Sequence, residues 1–488
     1  MGKRKQQRDD NIHPHSSGKR DDNVHPHSSG NVVLPEEQNV GEGNDIISSL
    51  PVNVLHHILS FLSTKDAIRT SILSTKWEYL WTSIANIDLK EERYPSRKKE
   101  GWSFLDFVER VLSLHDASDI KSLSIESSEL VNSAHVNSWI STSKRHNIEE
   151  LNLCLRSEAQ VVLPCCLFTC QSLVVLKLLM NGALKVPSLI QFSNLKTLEL
   201  SELTFSDDNS TQHLFSSCPV LQELALVGCR WKNLKTIAIC IPTLKRLTIE
   251  NRYMELPAGV HGCVTKIYAA NLIHFLCTCC LVVDFRLYDL SSLVDASILF
   301  NEDDVSILFD EDMQEQVITP RALGLLTAIC NVRKLRTTTD ALRYLSLADN
   351  LLDRLPTFNN MTHLVLDGNS YNDPSGALID LLEKTPNLES LYFEEVSDIG
   401  EYDLMLGRVP SCFASSLKTV HIQHFDKRPM EMQFISFLLK NATVLERMTL
   451  RCYSGHIKSR EQKISSKLNN LPRGSKSCVI ELTFFGIV

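Results

Sequence analysis

An α/β repeat solenoid, preceded by a small three-helix unit, is the fold class this sequence predicts. Three observations carry that expectation. A six-residue apolar pattern recurs from Ile120 onward. A dense helical stretch, residues 45–81, stands before it. The 488 residues are 43% hydrophobic and 22% charged, the balance of a globular chain long enough for several domains or one long array.

Residues 1–44 read as a disordered tail. Residues 8–18 recur almost unchanged as residues 20–30, and such a polar duplication cannot offset its own ordering entropy. Its two His-Pro-His units carry imidazoles able to bind a metal, but a plain duplicated tail is the expectation. Lys3-Arg4-Lys5 is a short basic run of the nuclear-import kind.

Residues 45–81 read DIISSLPVNVLHHILSFLSTKDAIRTSILSTKWEYLW. Ser48 and Ser49 are candidate caps, and Pro51 fits a first helical turn, where its missing N–H has no partner. Val54, Leu55, Ile58, Leu59 and Leu62 follow at helical spacing. Ser63 to Asp66 repeats the start signal of a cap followed by an acidic residue. Residues 74–81, with Trp77, Leu80 and Trp81, form a third helical piece. So short a unit cannot bury a core alone. Its apolar face needs either the rest of the chain or another protein.

These residues resemble an F-box of the plant type. Leu50-Pro51, Val54-Leu55, Ile58-Leu59-Ser60-Phe61-Leu62 and Leu73-Ser74-Thr75-Lys76-Trp77 carry the resemblance across the whole motif. Val52-Asn53 and Thr75 depart from it, where acidic residues and a second basic residue are common, and leave the apolar face intact. The resemblance implies docking to the SKP-family linker of a cullin-based ubiquitin ligase. The expected linker-binding residues are Leu50, Pro51, Leu55, Ile58, Leu59, Phe61, Leu62 and Trp77.

Residues 82–119 read as a linker or cap, with a helix spaced by Trp102, Leu105, Phe107, Val108, Val111 and Leu112. The repeats fill residues 120–408. Their hexads are IKSLSI (120–125), IEELNL (148–153), LVVLKL (173–178), LKTLEL (195–200), LQELAL (221–226), LKRLTI (244–249), LRYLSL (342–347), MTHLVL (361–366) and LESLYF (388–393). Ser193-Asn194, Cys218-Pro219, Ile241-Pro242 and Pro386-Asn387 mark turns before four of them. The spacing of about 20–30 residues resembles leucine-rich repeats, each giving one parallel strand of a stacked solenoid.

Residues 264–336 are the irregular part. Within them, residues 295–315 carry eight acidic residues and no basic one. Without alternating acids and a turn glycine this is no calcium loop, and a solvated acidic insertion is expected. Residues 409–488 change character. Leu417-Lys418-Thr419-Val420, Phe437-Leu438-Leu439-Lys440-Asn441-Ala442 and Val444-Leu445-Glu446-Arg447-Met448 resemble the FBD domain, which follows F-box and repeats in plant proteins.

No P-loop, GxSxG or HExxH motif is present, so no catalytic residue is expected. His274 with Cys277, Cys279 and Cys280, and Cys165-Cys166 with Cys170, read as structural residues rather than metal sites. No cofactor, metal, membrane or nucleic-acid partner is expected. The formal net charge of −8 provides no footprint for nucleic acid. Fifteen cysteines and no apolar leader suggest reduced thiols in the cytoplasm or nucleus.

The expected function is a substrate-recruiting adaptor of an SCF-type ligase. It joins the SKP-family linker, and through it the cullin scaffold, to a target protein. The alternative is a leucine-rich-repeat interaction or small-molecule-sensing module that acts without ligase docking. Because side chains alternate along a strand, the third and fifth residues of each hexad should line the concave side. Arg246, Tyr344 and Tyr392 are the expected target anchors.

Overall fold

The computed structural model describes residues 46–91, 103–116, 119–157, 162–205, 207–231, 234–250, 264–279, 283–300, 314–348, 350–368, 376–396, 408–453 and 458–485. The expected tail and residues 301–313 of the acidic insertion lie outside them. Residues 1–49 and 50–488 are separate units. In the first, the Ser49 hydroxyl donates to the Ile46 carbonyl at 2.6 Å. The second holds everything below.

Helix α1 (Val52–Leu59) starts from Pro51, whose carbonyl accepts the Val54 and Leu55 amides at 2.9 and 3.2 Å. Helix α2 (Thr64–Arg69) starts as its sequence predicts, with Ser63 Oγ accepting the Asp66 amide at 3.2 Å. The third helix expected over residues 74–81 is absent. Turns and a short 3-10 segment, Leu80–Ser83, take its place. Lys76 Nζ donates to the Leu50 carbonyl at 2.8 Å and ties this segment back to the start of α1.

Strand β1 (Asn86–Lys90) follows, and its Asp88 amide donates to Thr64 Oγ1 at 2.8 Å. Leu55, Leu59, Trp77 and Trp81 join the same core as Ile87 and Leu89. The helical unit therefore completes its core on the first strand of the array. Helix α3 (Phe104–Leu114), strand β2 (Ser122–Val131) and helix α4 (Ser133–Arg145) come next, with Ser103 and Asn132 capping the helices.

The chain then lays down parallel strands. They are β3 (Glu150–Ser157), β4 (Val175–Ala183), β5 (Thr197–Phe205), β6 (Glu223–Val227), the short β7 (Arg230–Trp231), β8 (Thr236–Cys240), β9 (Arg246–Glu250), β10 (Val264–Tyr268), β11 (His274–Cys279), β12 (Asp284–Tyr288), β13 (Asp295–Phe300), β14 (Lys334–Thr338), β15 (His363–Asp367), β16 (Ser390–Glu395), β17 (Thr419–His424), β18 (Arg447–Tyr453) and β19 (Val479–Phe485). Among the described residues, β8, β10 and β12 form a separate three-stranded sheet, and the others form one sheet in chain order, with β7 paired beside β5. Helix α5 (Asp208–Ser216) packs on β8, and helix α6 (Thr319–Ala328) packs on β12.

Each repeat strand starts at the third residue of its hexad. Leu151 and Leu153, Leu198 and Leu200, Leu247 and Ile249, and Leu391 and Phe393 therefore turn into the core. The residue before the hexad also has a task. Side-chain amides of Asn194, Asn271 and Asn387 donate to the carbonyls of Gln171, Pro242 and Asn359, each at 2.8 Å. The Ser172 and Ser416 hydroxyls do the same to Ile148 and Pro386, at 2.7 and 2.9 Å. These bonds satisfy carbonyls that the turns leave unpaired and fasten each repeat to the one before it.

Three expectations are corrected. The stretch expected to be irregular carries the main sheet through β11, β13 and β14 without a break. Their hexads, 272–277, 293–298 and 332–337, substitute Phe, Ala, Cys or Thr for leucine, which hid them. Residues 295–300, expected in the acidic insertion, form β13. LRYLSL at 342–347 is no strand: it falls mostly in helix α7 (Thr339–Ser346). An apolar spacing of three suits a helix as well as the hexad, and β14 already supplies the strand of that repeat. Residues 409–488, which resemble the FBD domain, extend the same sheet through β17, β18 and β19.

Candidate functional site

Two surfaces follow from this architecture. The first lies on the helical unit. Of the eight residues expected to bind a linker, Leu55 and Leu59 are fully buried and Trp77 is 3% exposed. They lie in the core and have almost no exposed surface to lose on docking, so the structure places them among core residues. Leu50 and Ile58 are half-buried against that core. Pro51, Phe61 and Leu62 are exposed.

Phe61 is 76% exposed, and close in sequence stand residues the periodicity did not single out: Ile72 at 89%, Leu73 and Tyr79. Val52 and Val54 are open as well. Scattered apolar residues are ordinary on a surface, but a concentration on one short unit marks an interaction site. Ile72 and Tyr79 escaped the reading because they lie at the end of a short 3-10 segment and in a turn, where helical spacing carries no information; Leu73 belongs to the F-box resemblance but was not among the expected contacts.

The second surface is the open face of the sheet. Arg246 is exposed there and pairs with Glu223 on the neighbouring strand. Lys177 reaches Glu199 at 3.1 Å in the same way. Tyr392 is half-buried and stacks on His421, with ring centroids 4.8 Å apart and planes at 10°. Burial, with the carboxylates of Glu394 and Asp367 nearby, pushes the Tyr392 hydroxyl above the usual tyrosine value.

Tyr344 is not on this face. It is 1% exposed, on α7, edge-on to Phe300 with centroids 6.3 Å apart. Of the three expected anchors, only Arg246 and Tyr392 point outward, and they stand on strands well apart in the sheet order. Arg336, His421 and Arg451 were missed. Arg336 and His421 are fifth residues of hexads, so the outward rule finds both once 332–337 and 417–422 are read as repeats.

Among the described residues, which leave out Cys280, the cysteine groups do not converge as metal sites. His274 faces out, with its Nδ1 3.0 Å from Asp295, whereas Cys277 on the same strand is fully buried on the other face. Among the described residues no cluster of three or more metal-capable side chains occurs. Burial raises the thiols of Cys218, Cys229 and Cys412 to about 12, which suits inert core residues. Among the described residues no helix is long and apolar enough to cross a membrane.

A helical unit seated on the first strand of a parallel repeat array defines the class: an F-box joined to a leucine-rich-repeat solenoid. Known families agree. The F-box domain matches residues 47–87, the leucine-rich repeats of FBD-associated F-box protein At5g56370 match residues 136–266, and the FBD family matches residues 407–450. The F-box/LRR-repeat protein At4g14096 of Arabidopsis thaliana is 31% identical over 462 residues, covering 90% of this chain and 94% of that protein. F-box/LRR-repeat protein At3g59200 of the same plant is 30% identical, covering 90% and 88%. F-box/LRR-repeat protein At4g14103, also of Arabidopsis, is 32% identical, covering 72% and 91%. The chain belongs to the plant F-box/LRR-repeat family with an FBD region.

Proposed function

We propose that this chain is a substrate-recruiting adaptor of a cullin-based ubiquitin ligase. Its F-box docks the SKP-family linker, and the open face of its sheet receives a target protein. The observation that carries this reading is the apolar surface of the helical unit. Its own core is complete, yet Phe61, Ile72, Leu73 and Tyr79 remain in solvent. Burying each such side chain is worth about 1.5–3 kcal/mol, and a partner with an apolar groove would collect that gain. The adaptor performs no chemistry itself. It shortens the distance between target and ligase, and the transfer belongs to other subunits.

Co-purification of the full chain with an SKP-family linker and cullin tests this. Leu50 and Pro51 changed together to Ala, or Phe61→Ala, should lose the linker while melting near wild type. Trp77→Ala should lose it by a different route, through loss of folded protein. Retention of linker by a folded Phe61→Ala, Ile72→Ala variant would overturn the docking assignment.

A further inference from the structure

The open face carries a charge asymmetry. Strand pairing aligns the third and fifth hexad residues into two rows running across the sheet. From β1 to β9 these rows hold Asp88, Glu150, Glu199 and Glu223, with Lys177 and Arg246 each paired to one of the glutamates. From β14 to β18 they hold Lys334, Arg336 and Arg447, together with His363, Tyr392 and His421; the carboxylates beside them are Asp367, which Arg336 engages, Glu394 near Tyr392, and Asp295 across from Lys334 on β13. Five strands span about 19 Å at ~4.8 Å each.

The side chains here are held in place from below. Arg336 donates through Nε to Asp367, a carboxylate only 7% exposed. That contact fixes the guanidinium plane and leaves its Nη edge for a second carboxylate, the geometry in which arginine binds most strongly. Gln423 Oε1 accepts from Arg451 at 3.1 Å and faces His421 Nε2 at 3.2 Å, which orients the imidazole stacked on Tyr392. The Tyr392 hydroxyl has no hydrogen-bond partner among the described residues and can donate to an anion. Arg447 lies 3.4 Å from Glu481 at the edge of the patch. Lys334 makes no ion pair among the described residues.

We propose that β14–β18 bind an extended acidic segment of the recruited protein, its carboxylates meeting Lys334, Arg336 and Arg447 around the Tyr392–His421 stack. This rests on the reading of the open face as the recruitment surface and adds the chemistry of the partner. An extended strand of about six residues covers the span. Pre-oriented side chains reduce the ordering cost of binding. The glutamates of the first half repel the same segment, so the asymmetry sets where along the face it lies.

Fluorescence anisotropy of the full chain with a labelled octaglutamate peptide tests the proposal, with octalysine as the opposite probe. Octaglutamate should bind, weaken as salt rises, and lose roughly tenfold in affinity with Lys334→Gln or Arg336→Gln. Lys177→Gln, in the first half, should not weaken binding. Lys334 is exposed and makes no ion pair among the described residues, so Lys334→Gln remains informative if Arg336→Gln disturbs the fold by releasing Asp367. Equal binding of both peptides, no octaglutamate binding at millimolar peptide, or affinity unmoved by Lys334→Gln in a folded chain would overturn it. Linker capture by the same preparations separates the two claims. Failure of octaglutamate with linker capture intact removes the acidic-segment proposal alone, whereas failure of wild-type linker capture removes the adaptor reading.

Discussion

Tyr344→Ala should be among the more damaging single changes in the chain. The ring is 1% exposed, lies on α7, and meets Phe300 of β13 edge-to-face at 6.3 Å. Helix α7 packs on β13 and β14, so the void would open between a helix and two strands of the main sheet. Truncating a buried aromatic ring to Ala costs about 3–5 kcal/mol through lost transfer energy and a residual cavity. Tyr392→Ala removes a half-buried ring and one stacking contact, and should cost about 1–2 kcal/mol. Urea denaturation of the full chain gives the comparison, and hydrogen exchange shows where protection is lost. Exchange should rise over β13, β14 and α7, because repeats support their neighbours. A Tyr344→Ala cost under about 1 kcal/mol, with Tyr392→Ala the larger, would refute the assignment of residues 339–346 to a helix over the core.

Other predictions follow from the same packing. Leu247→Ala and Leu391→Ala, both at fully buried positions, should each cost about 2–5 kcal/mol, read as shifts in urea midpoint. Gly474→Ala should destabilise by about 1–3 kcal/mol, because a Cβ there would lie 2.6 Å from the Lys440 backbone oxygen; a melting curve suffices. Glu91 gives a pH dependence. Burial tends to raise its pKa, but hydrogen bonds from the Ser128 amide and hydroxyl, the Ser127 hydroxyl and the Glu129 amide outweigh this and hold it below the ordinary value of 4.5. The unfolded chain therefore takes up the proton first. The contribution is complete above about pH 5 and disappears as pH falls through the lowered folded value. Glu91→Gln should reduce the acid sensitivity of the melting temperature over that range and leave it unchanged in slope near neutrality.

The sequence made the repeats legible wherever leucine filled the inward positions. Strands β2 to β6, β9, β15 and β16 begin where their hexads predict, since strand alternation fixes the faces once one leucine is placed. Hexads 272–277, 293–298 and 332–337 were hidden because Phe275, Cys277, Ala296, Ile298, Val332 and Thr337 fill the same positions without the leucine signature. Asn271 and Asn331 before two of them were the remaining signal. The candidate anchors divided for the same reason. Arg246 and Tyr392 sit in true hexads, and Tyr344 sits in a helix that imitates one. On the F-box, periodicity found the apolar residues of α1 but not which way each faces. Leu55, Leu59 and Trp77 were indistinguishable in sequence from Phe61, because only the folded packing decides which side chains stay in solvent.

The most direct measurement is calorimetric titration of an SKP-family linker into the full chain and into a Phe61→Ala, Ile72→Ala double variant, with melting curves for both. Phe61 and Ile72 are 76% and 89% exposed, so the variant should melt close to wild type. If both side chains are buried on docking, the loss is roughly 3–6 kcal/mol at about 1.5–3 kcal/mol each, which is a fall in affinity of about a hundredfold or more. The wild-type chain should form a one-to-one complex, and the folded double variant should show that loss. A wild-type chain that binds no linker, or a double variant that binds it as tightly as wild type, would contradict it.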